Sequence, residues 1–148
     1  MQKKRNLLFL LTLLFPLAIL AYDAQIDGIY YNFTASDKTA TVTYLGKYSF
    51  QNNTAYSGDV VIPKTVVYNG ATYTVTTIGE NAFIGCSGLT SVIMPESLTT
   101  INGNSFQECS GLKSIYIPRG VTFIQLSAFL NCSGIVAVGL MIVPIFQI

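Results

Sequence analysis

The chain is 148 residues long, 51% hydrophobic and 10% charged, with eight Lys and Arg against seven Asp and Glu, which is one domain's worth of unusually apolar polypeptide. It contains no histidine, so the commonest general base and the usual partner of a serine or cysteine nucleophile are missing. Three cysteines are present, an odd number that cannot all pair within one chain.

Residues 1–21, MQKKRNLLFLLTLLFPLAILA, open with Lys3, Lys4 and Arg5, continue as an uncharged run from Leu7 to Leu20, and reach a small residue. That is the pattern of a secretory signal peptide. Cleavage is expected after Ala21, with Ile19 and Ala21 in the two peptidase pockets. A retained signal-anchor helix is the rival reading, but Pro16 interrupts the run, which falls short of the roughly 20 residues a span needs. Removal takes three basic residues and no acidic one, leaving five against seven. The exported chain therefore has no basic stripe for nucleic acid or an anionic membrane surface, and no integral membrane span is expected in it.

Residues 22–77 read as a β cap. Ile29 to Phe33 and Ala40 to Tyr44 are strand-like in composition, joined by the polar link TASDKT. Val66 to Tyr68 and Thr72 to Val75 flank Asn69-Gly70, a strong hairpin signal. Tyr30, Tyr31, Tyr44, Tyr48, Tyr56, Tyr68 and Tyr73 crowd this segment; strand alternation makes packing their main role. Pro63 ends Val60-Val61-Ile62 as Pro95 ends a later strand, with nine residues more between them than the repeat period described next. The hairpin is thus an insertion in an atypical first repeat, which covers the open end of the array.

From Ile78 the chain repeats itself. IGENAFIGCSGLTSVIMPESLTT is followed at Ile101 by INGNSFQECSGLKSIYIPRGVTF and at Ile124 by IQLSAFLNCSGIVAVGL, defining units 78–100, 101–123 and 124–140. A fixed period in this range marks a solenoid whose turns bury their apolar faces against one another. Leu89, Val92 and Met94, like Leu112, Ile115 and Ile117, have the spacing of a turn entering a strand whose alternate side chains point inward. Pro95 and Pro118 stop the strand because proline donates no ladder hydrogen bond. The segments NAFIGC, NSFQEC and SAFLNC fit one or two helical turns, with Gly88, Gly111 and Gly134 expected in the left-handed conformation that closes a helix.

The pattern I-G-x-x-A-F-x-x-C-x-G-L-x-x-[VI]-x-[ILM]-P resembles the BspA-type leucine-rich repeat of exported bacterial proteins, and AYDAQIDGIYYNF resembles the amino-terminal segment of such proteins. The resemblance implies a leucine-rich-repeat solenoid of parallel β-strands and a role in binding or adhesion to host-matrix or cell-surface proteins. Together with the residue-level reading, the expected fold is mainly β with short helical or 3₁₀ turns: about three turns of solenoid behind an antiparallel β cap with hairpins.

Phe83, Cys86, Leu89, Val92, Met94, Phe106, Cys109, Leu112, Ile115, Ile117, Phe129 and Cys132 are the expected repeat core. Cysteine at one site per turn, with no close Cys pair and no His, does not match a metal site; a ladder of small buried thiols is expected instead. Glu80, Glu96 and Glu108 fall at different places within their repeats and build no acid and base pair. No catalytic residue, metal or cofactor is expected. Ser91, Ile93, Ser114 and Tyr116 project outward from the strands and form the candidate ligand face.

The tail 141–148 is apolar, and Met141 stands where the third strand-ending proline is due. A membrane anchor, an adhesive or oligomerising tail, and a truncated array with an uncapped last strand are the readings of it, the last being preferred. Two functions follow: an exported protein-binding module, or a truncated structural remnant without its own ligand that self-associates through the uncapped strand.

Overall fold

The computed structural model describes residues 22–46 and 54–140, and only the backbone of 137–140. The Ala21 cleavage site, Tyr48 and the tail lie outside these residues. Strand β1 (Ala24–Ile26) turns into β2 (Ile29–Thr34) through Asp27-Gly28, both at positive φ, and β3 (Thr39–Thr43) lies antiparallel to β2. This first hairpin has the Asp-Gly turn chemistry that matches strand twist. After β4 (Gly58–Val61), strands β5 (Thr65–Tyr68) and β6 (Ala71–Ile78) pair antiparallel about Asn69-Gly70, also both at positive φ.

The change from cap to solenoid is made by β3 and β6, which pair in parallel. Strands β7 (Leu89–Ile93), β8 (Thr100–Ile101), β9 (Ser114–Ile117), β10 (Phe123–Ile124) and β11 (Ala137–Leu140) complete the described array. One continuous sheet runs β1-β2-β3-β6-β8-β10, with β5 beside β6, so the cap and the return path of every turn share one hydrogen-bonded wall. Strands β4 and β7, and β9 and β11, form the opposite wall as two parallel pairs; Lys113 N–H donating to the Thr90 carbonyl at 3.3 Å joins them. Val61 pairs with Ile93, which is the Pro63-to-Pro95 offset expected for an inserted hairpin.

The third wall consists of turns, and it departs from expectation. Segments 79–88, 102–111 and 125–134 contain no helix; they are chains of i to i+3 turns such as Ile84 N–H to Asn81 O and Cys86 N–H to Phe83 O. Left-handed residues recur at Asn81, Asn104 and Ser127 and again at Gly85, Glu108 and Asn131, and a helix cannot run through them. Gly88, Gly111 and Gly134 are absent from the positive-φ set. They are glycines because turns approach closely: a Cβ on Gly111 would stand 2.2 Å from the Ser87 carbonyl oxygen, and one on Gly134 2.3 Å from that of Ser110. Backbone bonds knit this wall too, with Phe83 N–H donating to Ser105 O at 2.7 Å and Phe106 N–H to Ala128 O at 2.8 Å.

Inside the three walls Phe83, Phe106 and Phe129 stack ring on ring, with centroids 4.8 and 5.2 Å apart and planes within 7°. Leu89, Val92, Met94, Leu98 and Ile101, with Leu112, Ile115, Ile117 and Val121 one turn on, fill the rest. Phe129 and Cys132 are half-buried and pack against this core from the third turn, which has a described neighbour on one side only.

Candidate interaction face

The cysteines belong to the packing. None is in a disulfide. The Cys109 thiol donates to the Phe83 carbonyl at 3.1 Å, and the Cys132 thiol to the Phe106 carbonyl at 2.9 Å. Each carbonyl also accepts the N–H of the cysteine three residues on in its own turn, so the thiol uses its second lone pair. Burial pushes the Cys86 thiol from 9.0 up to about 11 and raises those of Cys109 and Cys132, which keeps them protonated and poor as nucleophiles. Among the described residues no group of three His, Cys, Asp or Glu is placed to hold a metal ion.

The strand wall presents a different surface. Alternation along each strand sends Val92, Ile115 and Ile117 inward and leaves the intervening residues outside. Ile93 and Tyr116 are 61% and 42% exposed, Ser114 is exposed and Ser91 half-buried. The structure adds Val61, 60% exposed and paired with Ile93, so Val61, Ile93 and Tyr116 form an apolar stripe crossing three turns. Beside it runs a polar row of Asp59, Ser91 and Ser114, in which Asp59 is the register partner of Ser91.

Asp59 is held in place by its neighbours on β7. Both Ser91 Oγ and Thr90 Oγ1 donate to its Oδ1 at 2.7 Å, and these bonds lower its carboxyl from the ordinary carboxylate value. A cavity of about 280 Å³ opens at this end of the stripe, lined by Asp27, Gly28 and Ile29 of the first hairpin, Ala55 to Ser57, and Asp59 to Val61. Val61 and Asp59 were within reach of the sequence: the match of Pro63 to Pro95 already aligns Val61 with Ile93.

Parallel strands stacked turn on turn, an inward leucine, isoleucine and phenylalanine ladder, and one bare strand wall define a leucine-rich-repeat solenoid. Six copies of the BspA type leucine rich repeat region match residues 30–141, and the chain belongs to that family, whose members are protein-interaction modules. The matched span begins inside the cap, in line with the wall that cap and repeats share.

Solved structures agree. A leucine-rich repeat protein from Bacteroides ovatus ATCC 8483 is 34% identical, with a TM-score of 0.68, over 79% of this chain and 29% of that one. A leucine rich cell surface protein from Faecalibacterium prausnitzii A2-165 is 28% identical, with a TM-score of 0.60, over 76% of this chain and 28% of that one. A leucine-rich repeat protein from Bacteroides capillosus ATCC 29799 is 25% identical, with a TM-score of 0.52, over 78% of this chain and 96% of that one. The chain thus spans under a third of the length of the first two. No curated protein sequence is significantly similar to it. Among the described residues no helix is long and apolar enough to cross a membrane.

Proposed function

We propose that this chain is an exported, non-enzymatic adhesion module that binds host-matrix or cell-surface proteins through the wall formed by β4, β7, β9 and β11. The observation that carries the reading is the stripe of Val61, Ile93 and Tyr116, large apolar side chains held outward along the strand wall, with Val61 and Ile93 in direct register. Rows of this kind, with an aromatic at one end and a polar border, are what protein interfaces use as their core and rim. The leader-like residues 1–21 and the likeness to a protein described as a cell surface protein support export.

The test is surface plasmon resonance of the purified protein against a panel of extracellular-matrix proteins, with Ile93→Ser and Tyr116→Ala as variants. Binding that both variants weaken without a loss of thermal stability is the expected result. Binding insensitive to both, or absent across the panel, contradicts the reading. Self-association is a second reading, favoured by Leu126 and Val136 in the third turn, which are 79% and 88% exposed. A monomer mass at every concentration in sedimentation equilibrium would exclude it.

A further inference from the structure

We propose that the cavity beside Asp59 receives a positively charged side chain of the protein partner, arginine or lysine, while the partner's adjacent apolar side chains lie along Val61, Ile93 and Tyr116. The inference names the partner's chemistry for the interaction face above and rests on that reading.

Size is the first argument. Sites for small molecules occupy about 300–1,000 Å³, and this cavity, at about 280 Å³, lies just below that range. It has room for one protruding side chain. Its composition is the second. Two carboxylates, Asp27 and Asp59, line it together with the apolar Ile29, Val60 and Val61, and no lysine or arginine does. Lys64, Lys113 and Arg119 are exposed elsewhere along the array and do not line it. An acidic cavity bordered by apolar side chains complements the amphipathic arginine and lysine side chains, whose methylene stems lie on apolar surface while the charged head meets the carboxylate.

Preorganisation is the third argument. The Ser91 and Thr90 hydroxyls fix Asp59 from the next strand, and both bonds end on Oδ1, so neither occupies Oδ2. A carboxylate already oriented loses little side-chain freedom when a cation binds. The cavity also adjoins the apolar stripe through Val61, which belongs to both. One partner segment can therefore fill the cavity and cover the stripe.

The probe is a phage-displayed random-peptide library panned on the purified protein, followed by titration of enriched peptides against wild type, Asp59→Asn and Ile93→Ser. Asparagine keeps the Oδ1 acceptor for Ser91 and Thr90, removes the charge and puts an amide donor in place of Oδ2. The expected result is enrichment of peptides with a basic residue beside aliphatic or aromatic ones. Their affinity should fall about tenfold in Asp59→Asn, as for loss of one charge-assisted contact, and fall with added salt in wild type. Peptides without basic residues, or with affinity unchanged by Asp59→Asn, overturn the cavity assignment; if Ile93→Ser still abolishes their binding, the interaction face survives it. Insensitivity to Ile93→Ser as well, or a library that yields no binder, removes both.

Discussion

Gly111 shows how tightly the turns are wound. Its missing Cβ would stand 2.2 Å from Ser87 O and 2.9 Å from Leu89 O, both backbone atoms that cannot swing aside. Gly111→Ala is therefore expected to cost about 3 kcal/mol in urea unfolding, the upper end for overpacking. Gly88→Ala, whose added carbon would meet Ser57 Cβ at 3.3 Å, should cost less than about 1 kcal/mol. Cysteine at the head of the same motif has a gentler role. Read from sequence, serine at position 109 buries a polar group at about 1–3 kcal/mol. The Phe83 carbonyl that receives the thiol can receive a hydroxyl instead, which places Cys109→Ser near the low end, at about 1 kcal/mol in the same measurement.

Among the elements, the β2–β3 pair depends on one distant side chain. Tyr30 and Thr43 are register partners, yet the Tyr56 hydroxyl sits between them, accepting from Tyr30 N–H at 3.0 Å and donating to Thr43 O at 2.8 Å. The same ring packs on Phe83 with centroids 4.5 Å apart, so it caps the phenylalanine ladder. Tyr56→Phe keeps the ring contact and leaves a buried donor and acceptor apart. The expected cost is about 1–3 kcal/mol, with faster hydrogen exchange at the Tyr30 amide; unchanged exchange there would show that the strands close without the hydroxyl. Nothing in local sequence marks this bridge, because its partners lie 26 and 13 residues away. By contrast, the repeat period, the Pro-ended strands and the Asn69-Gly70 hairpin were legible, each being a local backbone rule. The helical reading of NAFIGC and its counterparts failed for a related reason. The left-handed positions fall on Asn81 and Gly85, which suit that conformation, but in later turns on Glu108 and Ser127, which adopt it because neighbouring turns impose it. The four face residues were read from strand alternation in the regular repeats alone, and Val61 and Asp59 were missed because that alternation was not carried into the Pro63-ended strand of the atypical first repeat.

For the molecule as a whole, the titratable core consists of thiols and phenols. Burial raises Cys86 to about 11 and also raises Cys109, Tyr31 and Tyr56. A group whose folded-state pKa lies above its unfolded value stabilises the fold fully below the unfolded value and ceases to do so as pH climbs through the folded one. For Cys86 that window runs from pH 9 to about pH 11. The melting temperature is expected to hold steady from neutral pH to pH 9 and then to fall; a melting temperature that stays level from pH 9 to pH 11 would mean the thiols are exposed, since a thiol with one pKa in both states adds no pH dependence.

The central claim is that one of three walls does the binding. A photoreactive phenylalanine analogue placed singly at Ile93 on the strand wall, Ser110 on the turn wall and Thr122 on the return wall tests it directly, all three positions being exposed. With a matrix protein that binds, the account predicts a cross-linked adduct from position 93 and none from 110 or 122. Adducts from 110 or 122 without one from 93 would contradict it.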